Sequence, residues 1–227
     1  MMKLMSVLLI LSLGVACSSK KKVKDVDNSE TIARDYEVRD ASSTVRPGWI
    51  EDAEVWTEQE NMDTKKFRYF SFETEPKVNR EIACNLAKAN VRSDIASEIT
   101  TFIQKSLAAS TEGAAAIDAN NPKTQPMREY VSNTLGERVQ SLVHGAAVIK
   151  TYWEKRNYLQ KMGAKKDHIG FTCATLIRME TDRLKAAINK ASEDLVEKAG
   201  DPEVRDNVKK ALENLSEDFV KARHGEV

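Results

Sequence analysis

One stretch constrains this chain more than any other. From Val78 to about Leu107, the residues Ile82, Leu86, Val91, Ile95, Ile99, Phe102, Ile103 and Leu107 recur at helical spacing, with Cys84 close in angle to Val91, Ile95 and Phe102. That period predicts a long helix. Its apolar arc is broad, which implies packing against more than one neighbour.

Upstream, Phe67-Arg68-Tyr69-Phe70-Ser71-Phe72 is dense in aromatics between polar flanks and reads as a strand. Its aromatics fall on both faces, so the strand is either covered twice or presents an apolar patch. Phe70 and Phe72, together with Trp49, are the candidate partner surface. Downstream of the long helix, residues 108–126 are rich in Ala, Ser, Asn and Pro and read as a loop. Tyr130, Val131, Leu135, Val139, Leu142 and Val143 predict a second helix that stops at His144-Gly145.

The period then changes to two. Ile149, Thr151 and Trp153 alternate with Lys150, Tyr152 and Glu154. After a turn around Gly163–Asp167, the series Ile169, Phe171, Cys173, Thr175, Ile177 and Met179 repeats the pattern. Two strands joined by a polar connector predict an antiparallel pair. A third helix follows over about Glu180–Lys198, and Gly200-Asp201-Pro202 ends it and caps another running to about Arg223. That last helix either packs on the body or serves a partner; packing is favoured, because a lone helix of its length is marginal in water. The expected fold is α+β, with a small antiparallel sheet of about three strands packed against long helices and an additional C-terminal helix.

The chain opens Met1-Met2-Lys3, runs apolar from Leu4 to Val15, and continues Ala16-Cys17-Ser18-Ser19-Lys20-Lys21-Lys22. A basic start, a short apolar core and a small residue before the cut make a secretory signal. As a helix the core spans about 18 Å against about 30 Å of hydrocarbon, short for a permanent span. Leu13-Gly14-Val15-Ala16-Cys17 resembles the bacterial lipobox, with Gly14 where Leu is usual. The other reading is an ordinary signal followed by a chance Cys. The resemblance implies a diacylglycerol on the Cys17 sulfur, cleavage after Ala16 and acylation of the new amine. Each buried methylene contributes about 0.8 kcal/mol, so two or three chains anchor almost permanently.

Ser18 stands where lipoproteins retained in the enterobacterial inner membrane carry Asp. By that likeness the address is the inner leaflet of the outer membrane, facing the periplasm. Residues 1–16 are then the signal peptide, 17–45 the lipidated Cys and a flexible tether, 46–198 the folded domain and 199–227 the C-terminal helix. Arg46-Pro47-Gly48-Trp49-Ile50 opens the domain, with Trp49 as an apolar plug. The Lys20–Lys24 cluster either touches anionic headgroups or is a solvated leader.

Removing residues 1–16 takes one basic group, Lys3, from 35 and none of the 35 acidic ones. A net charge near −1 argues against a nucleic-acid partner, which needs a concentrated basic surface. After Cys17 only Cys84 and Cys173 remain, both on apolar faces. In an oxidising periplasm they can form a disulfide; alternatively they are separate buried thiols acting as small hydrophobes. His144, His168 and His224 lack zinc-ligand spacing, and no nucleophile elbow, phosphate loop or dinucleotide fingerprint occurs. Neither a metal nor a cofactor is expected.

The order of features resembles the LPP20 lipoprotein family over about residues 46–190. The shared pattern is the lipidated N-terminus, Pro47-Gly48-Trp49, an aromatic strand and the Ala-rich helix Ala83-Cys84-Asn85-Leu86-Ala87-Lys88-Ala89, then a second helix and two strands. Glu73-Thr74-Glu75 stands where the family often has a Gly-containing turn. The resemblance implies a small periplasmic α+β module without enzymatic activity, akin to accessory domains around the flagellum and cell envelope. The functional expectation is a membrane-anchored, non-catalytic binding or scaffolding module whose partner is an envelope protein or peptidoglycan. The alternatives are a hydrolase-like envelope enzyme with dispersed residues, or a flagellum-associated accessory lipoprotein.

Overall fold

The computed structural model describes Val23, Val26–Asp27 and residues 34–223. Four antiparallel strands form the central sheet: β2 (Tyr36–Ala41), β4 (Phe67–Glu73), β5 (Ala147–Tyr158) and β6 (His168–Glu180), in the order β2-β5-β6-β4. A separate short pairing joins β1 (Val26–Asp27) to β3 (Val45–Arg46). β5 and β6 make a long hairpin, with Trp153 opposite Cys173 and Tyr158 opposite His168. Its turn requires a left-handed backbone at Gly163 (φ 108°), which glycine adopts without a Cβ clash.

Helices cover one face of this sheet. α2 (Arg80–Ala109) lies on β4 and β6, and α3 (Thr111–Ala116), α4 (Gln125–Asn133), α5 (Leu135–Leu142), α6 (Thr181–Lys198), α7 (Pro202–Ala211) and α8 (Leu215–Arg223) complete the layer. Asn79 starts α2, its side-chain Oδ1 accepting from Ile82 N at 2.8 Å. From the sheet, Phe70, Ile177 and Met179 join Val91, Ile95, Ile99, Ile103 and Leu107 of α2 in the main core. Leu184 and Ile188 of α6, Val208 of α7 and Phe219 of α8 close it from the other side. From Val91 to Leu107 the broad arc of α2 is used, with sheet on one flank and helices on the others, while Ile82 at its start stays exposed. Burying each such Leu or Ile is worth roughly 1.5–3 kcal/mol.

The opposite face carries a smaller core. A 3-10 turn (Gly48–Ile50) and α1 (Ala53–Gln59) bring Trp49, Ala53 and Trp56 onto Tyr69, Tyr152, Ala174 and Leu176. β4 is therefore covered twice, Phe70 facing the helices and Tyr69 facing α1.

The fold is α+β, but four strands replace the expected three. The fourth, β2, comes from the segment read as tether: Tyr36 pairs with Tyr158 and Ala41 with Glu154. Its signal was faint because an edge strand keeps charges, here the exposed Arg39 and Asp40, where a central strand would alternate. The loop expected over 108–126 contains α3, capped by Ser110 Oγ accepting from Gly113 N at 2.9 Å. The helix expected over Tyr130–Val143 breaks at Thr134 into α4 and α5. The C-terminal helix breaks at Asn214, whose φ of 64° is one Asn tolerates, and both halves pack into the main core, the favoured of its two readings.

Candidate functional site

On β5, the parity that places Tyr152 on the smaller core also turns Glu154, Arg156 and Tyr158 to the same face. Glu73 ends β4 beside them, and Arg46 of β3 reaches across. The four charges close into a box. Arg46 forks onto Glu73, with Nη1 donating to Oε1 at 3.0 Å and Nη2 to Oε2 at 2.8 Å. Arg156 Nη2 donates to Glu73 Oε1 at 2.7 Å, and its Nε donates to Glu154 Oε2 at 2.6 Å. Glu154 Oε1 also accepts from the Tyr152 hydroxyl at 2.9 Å and from Arg46 Nη1 at 3.5 Å. The Glu154 side chain is fully buried, and those of Arg46 and Arg156 are 11% and 10% exposed.

Burial pushes the Glu73 carboxyl up, but hydrogen bonds and charge from Arg46 and Arg156 outweigh it and hold the group below the usual carboxylate range. Burial likewise works against the charge on both guanidiniums, and the facing carboxylates outweigh it and raise both. Glu73 so held is a poor proton carrier near neutral pH. The box is balanced, with two positive and two negative groups. It works as a clamp that locks β3, and with it the paired β1, to the sheet. An aromatic ladder extends it: Arg156 lies 4.5 Å from the Tyr36 ring centre, Tyr36 sits 5.2 Å from Tyr158, and Tyr158 stacks on His168 at 4.5 Å. Burial raises both tyrosine hydroxyls.

Cys84 and Cys173 are joined in a disulfide, with Cα atoms 5.0 Å apart. It staples the second turn of α2 to β6 amid Ala83, Ala87, Phe72, Trp153 and Phe171. The partner surface expected at Trp49, Phe70 and Phe72 is not an outer surface. Trp49 is 1% exposed and Phe70 5%, each filling one of the two cores, while Phe72 is half-buried between the helices and the disulfide. A strand covered on both sides has no apolar face left to offer. His144 and His168 are exposed and far from one another in role, the first after α5 and the second on the ladder. Cys17 and His224 lie outside the described residues.

The exposed apolar surface is elsewhere. α2 begins at Arg80, whose guanidinium lies 4.9 Å from the Trp153 ring centre. Beyond that point the helix-side face of the hairpin continues uncovered, with half-buried Phe171 under the Lys155 ammonium (5.9 Å) and Ile169 54% exposed. Val78 and Ile82 are also exposed at the start of α2. The period-two series named Ile169 and Phe171 as strand residues; it carries no information on where the covering helix stops.

A cleft of about 590 Å³ between α2 and α8 is lined by Glu54, Asp94, Glu98, Phe102 and Phe219. Among the described residues no group of three His, Cys, Asp or Glu side chains is placed to hold a metal ion, and no helix is long and apolar enough to cross a membrane. Comparison with protein-family models, with curated proteins and with solved structures finds no match.

Proposed function

We propose that this chain is a lipid-anchored, non-catalytic binding or scaffolding module of the bacterial envelope. Acyl chains on Cys17 hold it at the inner leaflet of the outer membrane, and its body stands in the periplasm. The observation that carries this reading is the Cys84–Cys173 disulfide. Such bonds persist in oxidising compartments and are rare in the cytosol. A lipobox-like start at Leu13–Cys17 would deliver the chain to one. The likeness to LPP20 lipoproteins points the same way.

The arrangement of side chains supports binding over chemistry. Arg46, Glu73, Glu154 and Arg156 are consumed by one another. The open end of the sheet instead presents Ile169, Phe171 and Trp153 with Arg80 and Lys155 above the rings. Aromatic rings under cations suit an acidic partner, whether an envelope protein or the carboxylates of peptidoglycan.

Cys17→Ala is expected to move the protein from the membrane pellet to the soluble periplasmic fraction and to remove the acyl mass from the intact protein. Retention in the membrane at wild-type level would sink the anchor. A photo-crosslinking residue in place of Ile169 is expected to trap a specific envelope component that one in place of Asn189, on α6, does not; equal capture at both sites would remove the binding surface.

A further inference from the structure

We propose that the hold of α1 on Val23 and of β3 on β1 sets one end of the sheet, where β5 begins and β6 ends, against anionic phospholipid headgroups, with Lys66, Lys150 and Arg178 as the contact. This rests on the Cys17 anchor proposed above. With the Gln59 amide oriented to satisfy both partners, its nitrogen donates to Val23 O at 2.8 Å and its oxygen accepts from Val23 N at 3.0 Å. β1 then pairs with β3, and β3 is held by Arg46 in the charged box. Only six peptide steps separate Cys17 from Val23. At no more than about 3.5 Å each they reach about 21 Å, so the end of α1 stays within that distance of the lipid.

The end of the sheet held there has the chemistry for it. The Lys150 ammonium lies 4.6 Å from the Trp56 ring centre, and Trp56 is one turn of α1 before Gln59. Arg178 and Lys66 lie 4.6 and 5.3 Å from the Phe67 ring centre. Trp56 and Phe67 belong to one cluster, with Met62 and Ile149 between elements. A cation carried on an aromatic ring places an apolar body at the surface and its charge at phosphate depth.

The test uses the purified acylated protein on vesicles of phosphatidylethanolamine with phosphatidylglycerol, compared with phosphatidylcholine alone, read by hydrogen–deuterium exchange. Residues 53–66 and 144–150 are expected to exchange several-fold more slowly on the phosphatidylglycerol vesicles and to recover in high salt. Lys66→Glu with Lys150→Glu and Arg178→Glu is expected to abolish that slowing. Lys161→Glu with Lys165→Glu and Lys166→Glu, on the hairpin turn, is expected to leave it intact. Equal exchange on both vesicles, protection appearing at the hairpin turn, or protection that survives both the triple reversal and high salt would each overturn the orientation. A protein whose mass carries no acyl chains would instead remove the anchor itself, so the two failures are told apart.

Discussion

Replacing both bonded cysteines, Cys84→Ala with Cys173→Ala, is expected to lower the unfolding free energy by about 4–5 kcal/mol. The bond closes a span of 89 residues, and chain entropy for a loop of that length gives about 4.6 kcal/mol at room temperature. The loop runs from the second turn of α2 through α5 and all of β5, so an unfolded chain with the bond intact is denied most of its expanded conformations. Cys173 is fully buried among Ala83 and Ala87, which makes Ala the replacement that leaves no stranded hydroxyl. For a body of this size the loss corresponds to a melting temperature lower by roughly 10–15 °C. Reductant is expected to move the wild type by the same amount and to leave the double variant unchanged. A wild type indifferent to reductant would mean that the bond is absent in the folded protein. A variant melting within about 3 °C of wild type would mean that the denatured ensemble is already compact.

The elements that could be read from the sequence are those whose period survives in a long run. α2 and β6 show theirs over many residues because each is buried along most of its length, and Asp201-Pro202 marks the start of α7 by capping chemistry that is local to the sequence. What was illegible depends on partners distant in the chain. β2 is an edge strand whose only claim to be a strand is its ladder with β5, more than a hundred residues away. Glu154 and Arg156 look like solvent-facing charges in an alternating strand, since nothing near them says that Arg46 and Glu73 will arrive to neutralise them. The one local hint was their i, i+2 spacing between Tyr152 and Tyr158, two residues that favour a half-buried face. Trp49 and Phe70 failed as surface residues for a related reason: an aromatic strand looks the same whether one layer or two will cover it.

Glu154→Ala is the substitution expected to cost most among the box residues, about 3–5 kcal/mol, because it leaves two guanidiniums facing one carboxylate on a largely buried face. The double change Glu154→Leu with Arg156→Met removes one charge of each sign and restores apolar packing, so it is expected to sit within about 1–2 kcal/mol of wild type. Chemical denaturation of Glu154→Leu, Arg156→Met and the double closes a cycle, and additive losses would show that the charges are not coupled. The pH dependence carries an independent sign. Glu73 is held below its ordinary value in the folded state, so its contribution is complete above about pH 4.5 and is lost as the pH falls through the folded value. Glu73→Gln is expected to flatten the acid limb of the stability profile over that range, after its own loss at neutral pH. The guanidiniums stay charged throughout, so acid leaves them uncompensated beneath β3. The first structural consequence is therefore local: Arg46 loses its fork, and amide protection factors over residues 34–46 are expected to fall as the pH drops through the folded value of Glu73, before those of the helical layer. Protection that is lost together in α2 and β2 would mean that the N-terminal strands and the body unfold as one unit and that the box is not what holds those strands down.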